Sequence, residues 1–390
     1  MLKKYALLLF FLLIFKSINA QLELSAYSEI SIVTAGPGTA LFEAFGHSAI
    51  RVKDPMFQFD LIYNYGMFDF NQPHFYTNFV KGKLLYRLGR YDFNDFLVNY
   101  NQDKRWVKQQ VLNLSQSKKQ AFFNYLEMTV LPQNSDYLYD PYFDNCATKL
   151  RDITTLVLKD KVVFKDIHFD KNQSFRQLMN QEISWNSWGS FGINVALGSK
   201  LDQKTTLEET MYLPKYVFSI FKNSKITLNE KSENLVKTEE IVLNFKDLEQ
   251  KPTIFSPFLI FLIFGIIGLL ITFSDFKKHK RTNWLDTTIF FSTGIIGVLI
   301  AFLWFFTNHS TTPNNFNFLW AFAPNFFVGW FILKKNPPKW ISKYAKVLVI
   351  FLLIIPILWL TKIQEFPISV IPLLAFLFIR YLFLSTKKSL

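Results

Sequence analysis

The lone cysteine of the chain lies in Tyr137-Leu-Tyr-Asp-Pro-Tyr-Phe-Asp-Asn-Cys146-Ala-Thr-Lys-Leu-Arg-Asp152. Asp144 and Asn145 are both good helix N-caps. The residues that follow favour a helix, with Leu150, Ile153 and Val157 on one side. Cys146 is therefore expected in the first helical turn. There the free N–H groups and the helix dipole favour a thiolate, and the same amides can hold an oxyanion. The competing reading is a small buried hydrophobe, since free cysteines are commonly buried.

A thiol nucleophile needs a base. Gly46-His47-Ser48-Ala49-Ile50-Arg51-Val52 sets His47 at the start of a strand, after a glycine that allows close approach. His74 and His168 lie in polar, loop-like contexts, and His279 is in a stretch expected in the cytoplasm. A strand histidine with a helix-N-terminal cysteine fits the Cys–His pair that recurs in unrelated chain orders. A third group should orient the imidazole. Asn64, Asp60 and Tyr63 on the next strand are candidates, with Asn64 preferred. The sequence does not choose among them, because strand register is not written in it.

The elements that must position these groups are short. Glu29-Ile-Ser-Ile-Val33, His47–Val52 and Phe59-Asp-Leu-Ile-Tyr-Asn-Tyr65 are β-branched or aromatic and bounded by Gly, Pro or Asp, which predicts strands. Segments 92–100, 115–130 and 146–158 predict helices; Ala121, Phe122, Tyr125 and Leu126 recur at helical spacing. Glu240-Ile-Val-Leu-Asn-Phe245 is strand-like. This is an α+β pattern, over residues 21–250.

Composition places that domain. The 390 residues carry 43 Lys plus Arg against 30 Asp plus Glu, a formal net charge of +13, with 50% hydrophobic residues and 45 Phe. A disordered chain is excluded. One cysteine excludes an internal disulfide and a cysteine-based zinc site. Met1-Leu2-Lys3-Lys4, an apolar run to Phe15 and Ala20 form the pattern of a signal peptide over residues 1–20. From Thr253 the chain turns apolar, giving a membrane domain over 251–390. Its runs near 253–273, 287–306, 317–333, 347–361 and 367–384 approach the ~20 residues that cross a bilayer. Lys277-Lys-His-Lys-Arg281, Lys334-Lys335 and Lys387-Lys388 follow the first, third and fifth runs. The positive-inside rule puts these loops and the C-terminus in the cytoplasm and residues 21–250 outside, as the signal peptide also requires. The basic excess thus reports topology, and nucleic-acid binding has no support.

A second polar cluster, Thr307-Asn308-His309-Ser310-Thr311-Thr312-Pro313-Asn314-Asn315-Phe316-Asn317-Phe318-Leu319-Trp320, falls on the same outer face as Cys146. It reads either as a neutral loop with an interfacial tryptophan or as a ledge for a headgroup or substrate. Ser184-Trp185-Asn186-Ser187-Trp188-Gly189-Ser190-Phe191-Gly192 faces the membrane, the substrate or the core. No Walker loop, HExxH or dinucleotide fingerprint occurs.

Gly46–Val52, Tyr63-Asn-Tyr-Gly-Met-Phe-Asp-Phe70, Asn78-Phe-Val-Lys-Gly-Lys83 and Asp144-Asn-Cys-Ala-Thr148 together resemble the Lnb type of lipoprotein N-acyltransferase. So do Ser174-Phe-Arg-Gln-Leu178, Phe191-Gly-Ile-Asn-Val-Ala-Leu-Gly198 and Met211-Tyr-Leu-Pro214. The His309, Asn315, Asn317 and Trp320 cluster resembles the family's five-span membrane part. The resemblance implies a circularly permuted papain-like domain, akin to the lecithin:retinol acyltransferase group, followed by five transmembrane helices in a bacterial inner membrane. It implies that Cys146 takes an acyl chain from a membrane phospholipid as a thioester. The α-amine of a diacylated lipoprotein then receives it, with His47 moving the protons. The expected site residues are Cys146, His47 and Asn64 for catalysis, and Ser48, His309, Asn315, Asn317 and Trp320 for substrate binding. No cofactor and no metal is expected. The alternatives are a membrane-tethered papain-like cysteine hydrolase, with water as acceptor, and a non-enzymatic membrane protein.

Overall fold

The computed structural model describes residues 22–69, 71–166, 168–248 and 254–386. The expected signal peptide and Lys387-Lys388 lie outside these. A sheet-rich N-terminal domain precedes a helical one. Seven strands form one antiparallel sheet: β1 (Glu29–Ala35), β2 (His47–Asp54), β3 (Phe59–Met67), β4 (Leu85–Asp92), β5 (Val107–Leu112), β6 (Asp136–Leu138) and β10 (Val236–Leu243). Their order is β10-β5-β1-β2-β3-β4-β6. Short strands β7 (Val162–Val163), β8 (Lys225–Leu228) and β9 (Lys231–Asn234) make a second, three-stranded sheet.

The central strands are covered on both faces. On one, Ile30, Ile32, Ile50, Val52 and Tyr63 share a core with residues of helices between Gln116 and Asn223. On the other, Val33, Ala35, Ala49 and Ile62 pack against Phe93 and Phe96. Each fully buried Ile contributes roughly 1.5–3 kcal/mol. A one-residue slip would exchange the two faces of a strand, so this two-sided packing fixes the register, including Ala35 opposite His47 and Ile50 opposite Tyr63.

The helices of the first domain that bear on the site are α1 (Phe75–Val80), α2 (Phe93–Gln102), α3 (Gln116–Thr129), α4 (Cys146–Leu158), α5 (Phe175–Glu182), α6 (Trp188–Ala196) and α7 (Pro214–Asn223). Among the described residues, four segments are long and apolar enough to cross a membrane: α8 (Pro257–Lys277), α9 (Asn283–Phe305), α11 (Trp340–Leu360) and Ile368–Thr386, whose main helix is α12 (Ile371–Thr386).

The third expected span, 317–333, is not a helix of crossing length. It is a 3-10 turn, Phe316–Leu319, and then an eight-residue helix, α10 (Asn325–Ile332). Eight residues rise about 12 Å, against roughly 30 Å of hydrocarbon. Pro324 lacks an N–H to continue a ladder, and the Asn315 side chain accepts from Asn317 N at 3.0 Å, starting a new turn. Irregular backbone inside a bilayer must be buried in protein, and α9 supplies the cover. A Cβ on Gly297 would lie 2.1 Å from Ala321 O, and one on Gly294 2.2 Å from Phe326 N. The broken segment starts beside the N-terminal domain and ends where Arg281 Nη2 donates to Ile332 O at 3.1 Å.

That end of the bundle holds a buried ion cluster. Arg380 of α12 donates to Asp286 at 2.6 Å and to Asp275 at 2.8 Å. Three helices are thereby joined through charges that would be costly unpaired.

Candidate active site

Gly46 turns the chain into β2 with φ 73°, a conformation that disfavours other residues. A Cβ there would sit 2.8 Å from Ala35 O. His47 follows as the first residue of β2. On the same face of the neighbouring strand, Asn64 Oδ1 lies 2.6 Å from His47 Nε2. Asn64 Nδ2 donates to Tyr91 Oη at 2.9 Å. With the amide nitrogen committed, Oδ1 is the acceptor and Nε2 carries the proton, which leaves Nδ1 for the thiol.

The other two orienting candidates are engaged elsewhere. Asp60 takes Arg51 Nε at 2.6 Å and Nη2 at 2.5 Å. Tyr63 donates to Glu127 Oε1 at 2.5 Å.

Cys146 is the first residue of α4 and is 7% exposed. Asn145 caps the helix: its Oδ1 accepts from Ala147 N and Thr148 N, both at 2.9 Å. Asn145 N donates to Thr148 Oγ1 at 2.8 Å, closing a capping box. Asn145 Nδ2 donates to Pro141 O and Tyr212 O at 2.7 and 2.8 Å, tying the loop before the cysteine to the chain before α7. The cap thus fixes the position of Cys146 as well as starting the helix.

Burial by itself pushes the Cys146 thiol up. The His47 charge, a hydrogen bond from His47 and the N–H groups of Ser48 and Ala147 outweigh it, so the thiol lies below its ordinary value. Burial likewise disfavours the imidazolium, but the thiolate and the Asn64 bond raise His47 above its usual range. Each group thus favours the charged form of the other, the direction that activates a sulfur nucleophile.

Residues that the sequence reading did not single out surround it. Tyr137 and Tyr139 are pushed up by burial and then by the Cys146 charge, so both remain phenols. Tyr139 stacks on Tyr86 with centroids 4.5 Å apart. Arg105 donates to Gly36 O at 2.9 Å and to Glu43 Oε1 at 3.3 Å, bracing the loop that leads into His47. Only their proximity to the DNC motif, for the tyrosines, could have suggested them. Ser48 contributes its backbone N–H, and its hydroxyl is buried with no partner among the described residues.

Of the expected membrane-side ligands, Asn315, Asn317 and Trp320 are buried and His309 is half-buried. They hold the N-terminal domain on the bundle. Asn315 Nδ2 donates to Val195 O at 2.7 Å, and Asn317 Nδ2 to Asn194 O at 3.0 Å. Trp320 is buried and its Nε1 donates to Asn317 Oδ1 at 2.9 Å. Gly198 N donates to Thr311 O and Asn308 N to Lys81 O, each at 2.8 Å. His309 is half-buried, and its backbone packs on Gly82. Ser310 Oγ donates to Asp140 Oδ2. The other oxygen of Asp140 accepts from Tyr142 N and Phe143 N, in the loop that ends at Cys146.

Behind this seam stands Arg176, fully buried. It pairs with Asp202 at 2.9 Å and donates to Asn194 Oδ1, Leu197 O and Gly198 O at 3.0, 3.0 and 2.8 Å. It shapes the 194–198 stretch that receives Asn315 and Asn317.

Residues 15–181 match the family model described as the Lnb N-terminal periplasmic domain. Residues 249–389 match the one described as the Lnb transmembrane domain. The chain is Lnb-like. It is a membrane protein with a periplasmic N-terminal domain followed by a transmembrane domain. No curated protein and no solved structure matches it. Asn194–Gly198, the seat of the membrane loop, lies between the two matched regions.

Proposed function

We propose that this Lnb-like protein is an apolipoprotein N-acyltransferase of the bacterial inner membrane, with a papain-like catalytic arrangement and a cytoplasmic C-terminus. The observation that carries the reading is the pairing of Cys146, at the start of α4, with His47, which Asn64 Oδ1 holds at 2.6 Å, on a domain docked against an apolar bundle. Such a site meets substrates that are themselves confined to the membrane. The third, broken segment is read as a fifth crossing, since its two ends engage opposite ends of the bundle.

The reaction follows from the pair. The Cys146 sulfur attacks the carbonyl carbon of a phospholipid acyl ester. The C–O bond breaks, and the departing alkoxide takes the proton of His47, leaving a thioester and a lysophospholipid. The α-amine of a diacylated lipoprotein then attacks the thioester carbon. His47 accepts the amine proton, the C–S bond breaks, and an amide and the thiol–imidazole pair result. Amide from thioester is downhill, so positioning is the main demand of the second step. No cofactor enters either step. Asn64 keeps the imidazole facing sulfur, while Ser48 and the half-buried His309 border the route of the substrates and Asn315, Asn317 and Trp320 hold the loop that carries His309.

The test is to trap the acyl-enzyme. Full-length protein incubated with phospholipid alone should gain the mass of one acyl chain. Hydroxylamine should remove it, and Cys146→Ala should never acquire it. A hydrolase would release free fatty acid or act on water-soluble wall peptides without lipid; no acyl adduct from phospholipid would overturn the transferase reading.

A further inference from the structure

The loop between β1 and β2 ends in an apolar tip that the first domain leaves uncovered. Leu41–Glu43 forms a 3-10 turn just before Gly46 and His47. The turn is held firmly: Gly38 N and Gly46 N both donate to Glu43 O at 3.0 Å, and Arg105 holds the Glu43 carboxylate. Yet Phe42 at its tip is 74% exposed, and Leu41 beside it is also exposed. A rigid loop that presents a phenylalanine outward needs a partner for it.

The neighbours identify the partner as lipid. A Cβ on Gly189 would lie 2.8 Å from Leu41 Cδ1, so Leu41 packs on the first turn of α6. Trp188, in that same turn, donates from Nε1 to Phe255 O at 2.8 Å, two residues before the first membrane helix. Its ring meets Phe261 edge-on at 5.8 Å, and Trp185 meets Phe258 at 5.9 Å. Trp185, Trp188, Ile254 and Phe255 are themselves exposed. The apolar patch is thus continuous with the first turn of a span, at the depth where tryptophan rings favour the bilayer interface.

We infer that Leu41 and Phe42 dip into the outer leaflet and mark the side from which a phospholipid acyl chain reaches His47 and Cys146. The first half is a statement about membrane contact. The second rests on the acyl-transfer reading. Only Ala44, Phe45 and Gly46 separate the turn from His47, so a chain drawn out along Phe42 arrives at the imidazole side of the site.

The experiment separates the two halves. Cys146 is the lone cysteine, so Cys146→Ala provides a cysteine-free chain. In full-length protein, reconstituted in phosphatidylethanolamine–phosphatidylglycerol nanodiscs, Phe42→Cys and Met56→Cys are labelled with an environment-sensitive NBD dye. Met56 is exposed in the turn at the other end of β2, roughly 25 Å along the strand. The dye at 42 should shift to the blue and be quenched by nitroxide-bearing acyl chains, while the dye at 56 should behave as in water. Equal, water-like spectra at both sites would overturn the insertion. In a second arm, Phe42→Asp in the chain that retains Cys146 should lower acyl transfer by roughly tenfold, the effect of losing one buried aromatic side chain. Alkylation of Cys146 by water-soluble iodoacetamide should be unchanged. Undiminished transfer, or alkylation lost in parallel, would overturn the entry role. A wild type that transfers nothing would sink the acyltransferase and leave membrane contact to the fluorescence alone.

Discussion

At the scale of single residues, the thiol and imidazole define each other's charge. His47 draws the Cys146 thiol below its usual range, and Cys146 draws the His47 imidazolium above its own. Lowering the pH must therefore reach further than usual before the thiolate is lost. In His47→Gln the ion partner is gone and burial, the largest influence, is opposed only by the Ser48 and Ala147 N–H groups, so the thiol should rise from its wild-type position. The pH profile of iodoacetamide alkylation at this lone cysteine reads that shift directly; an unchanged profile would deny the pair. Asn64→Ala should leave the fold intact and lower turnover roughly 10²-fold, the order of loss that misplacement of a reacting group produces. Asp60→Asn should leave turnover near wild type, since Asp60 serves Arg51. Asp60 and Asn64 share a face of β3, which is why alternation along the sequence could not separate them. The pairing of Ile50 with Tyr63 does so, and pairing is a property of the assembled sheet.

At the scale of elements, the cysteine helix was readable because its start signal is local. Asn145 sits where a cap must, followed by apolar residues at helical spacing. Its further bonds to Pro141 O and Tyr212 O were not readable, because Tyr212 is distant in sequence. Asn145→Ala removes the cap and leaves those carbonyls short of a donor. Unfolding of the protein should become easier by about 2–3 kcal/mol, the sum of a cap and a buried bond, as measured by chemical denaturation in detergent. The third span was the element least readable. Its hydropathy alone suggests a helix, but Pro324 has no N–H to carry the ladder on, and the Asn317 and Asn325 side chains are spent on partners in other segments. Asn325 Nδ2 donates to Thr293 Oγ1 at 2.9 Å, and Tyr344 Oη donates to Asn325 Oδ1 at 2.6 Å. Composition shows that such polar groups exist, not which neighbours satisfy them.

At the scale of the whole molecule, the two domains act as one piece through a seam of backbone bonds. The sequence signalled the polar loop at 307–317 and its side of the membrane, but not that its amides would be consumed in docking. Gly198 is the tightest point: a Cβ there would fall 1.9 Å from Pro313 O. Gly198→Val should push the membrane loop away, expose the 194–202 stretch to protease and lower turnover. It should leave the far ion cluster untouched. Arg380→Ala should do the reverse. It leaves Asp275 only its bonds from Thr282 and Asp286 only the longer Arg281 pair, and should cost about 3 kcal/mol of bundle stability, read by thermal unfolding, with the seam still protected. If both variants gave the same protease pattern, the seam and the cluster would not be separate supports.

The most direct measurement of the central claim is transfer itself. A diacylated lipopeptide with a free α-amine is incubated with phospholipid and full-length protein, either wild type or Cys146→Ala, and followed by intact mass and fragmentation. The account predicts a gain of one acyl chain, located on the N-terminal amine and made only by the wild type. No gain with folded wild type, or the same gain with Cys146→Ala, would contradict it.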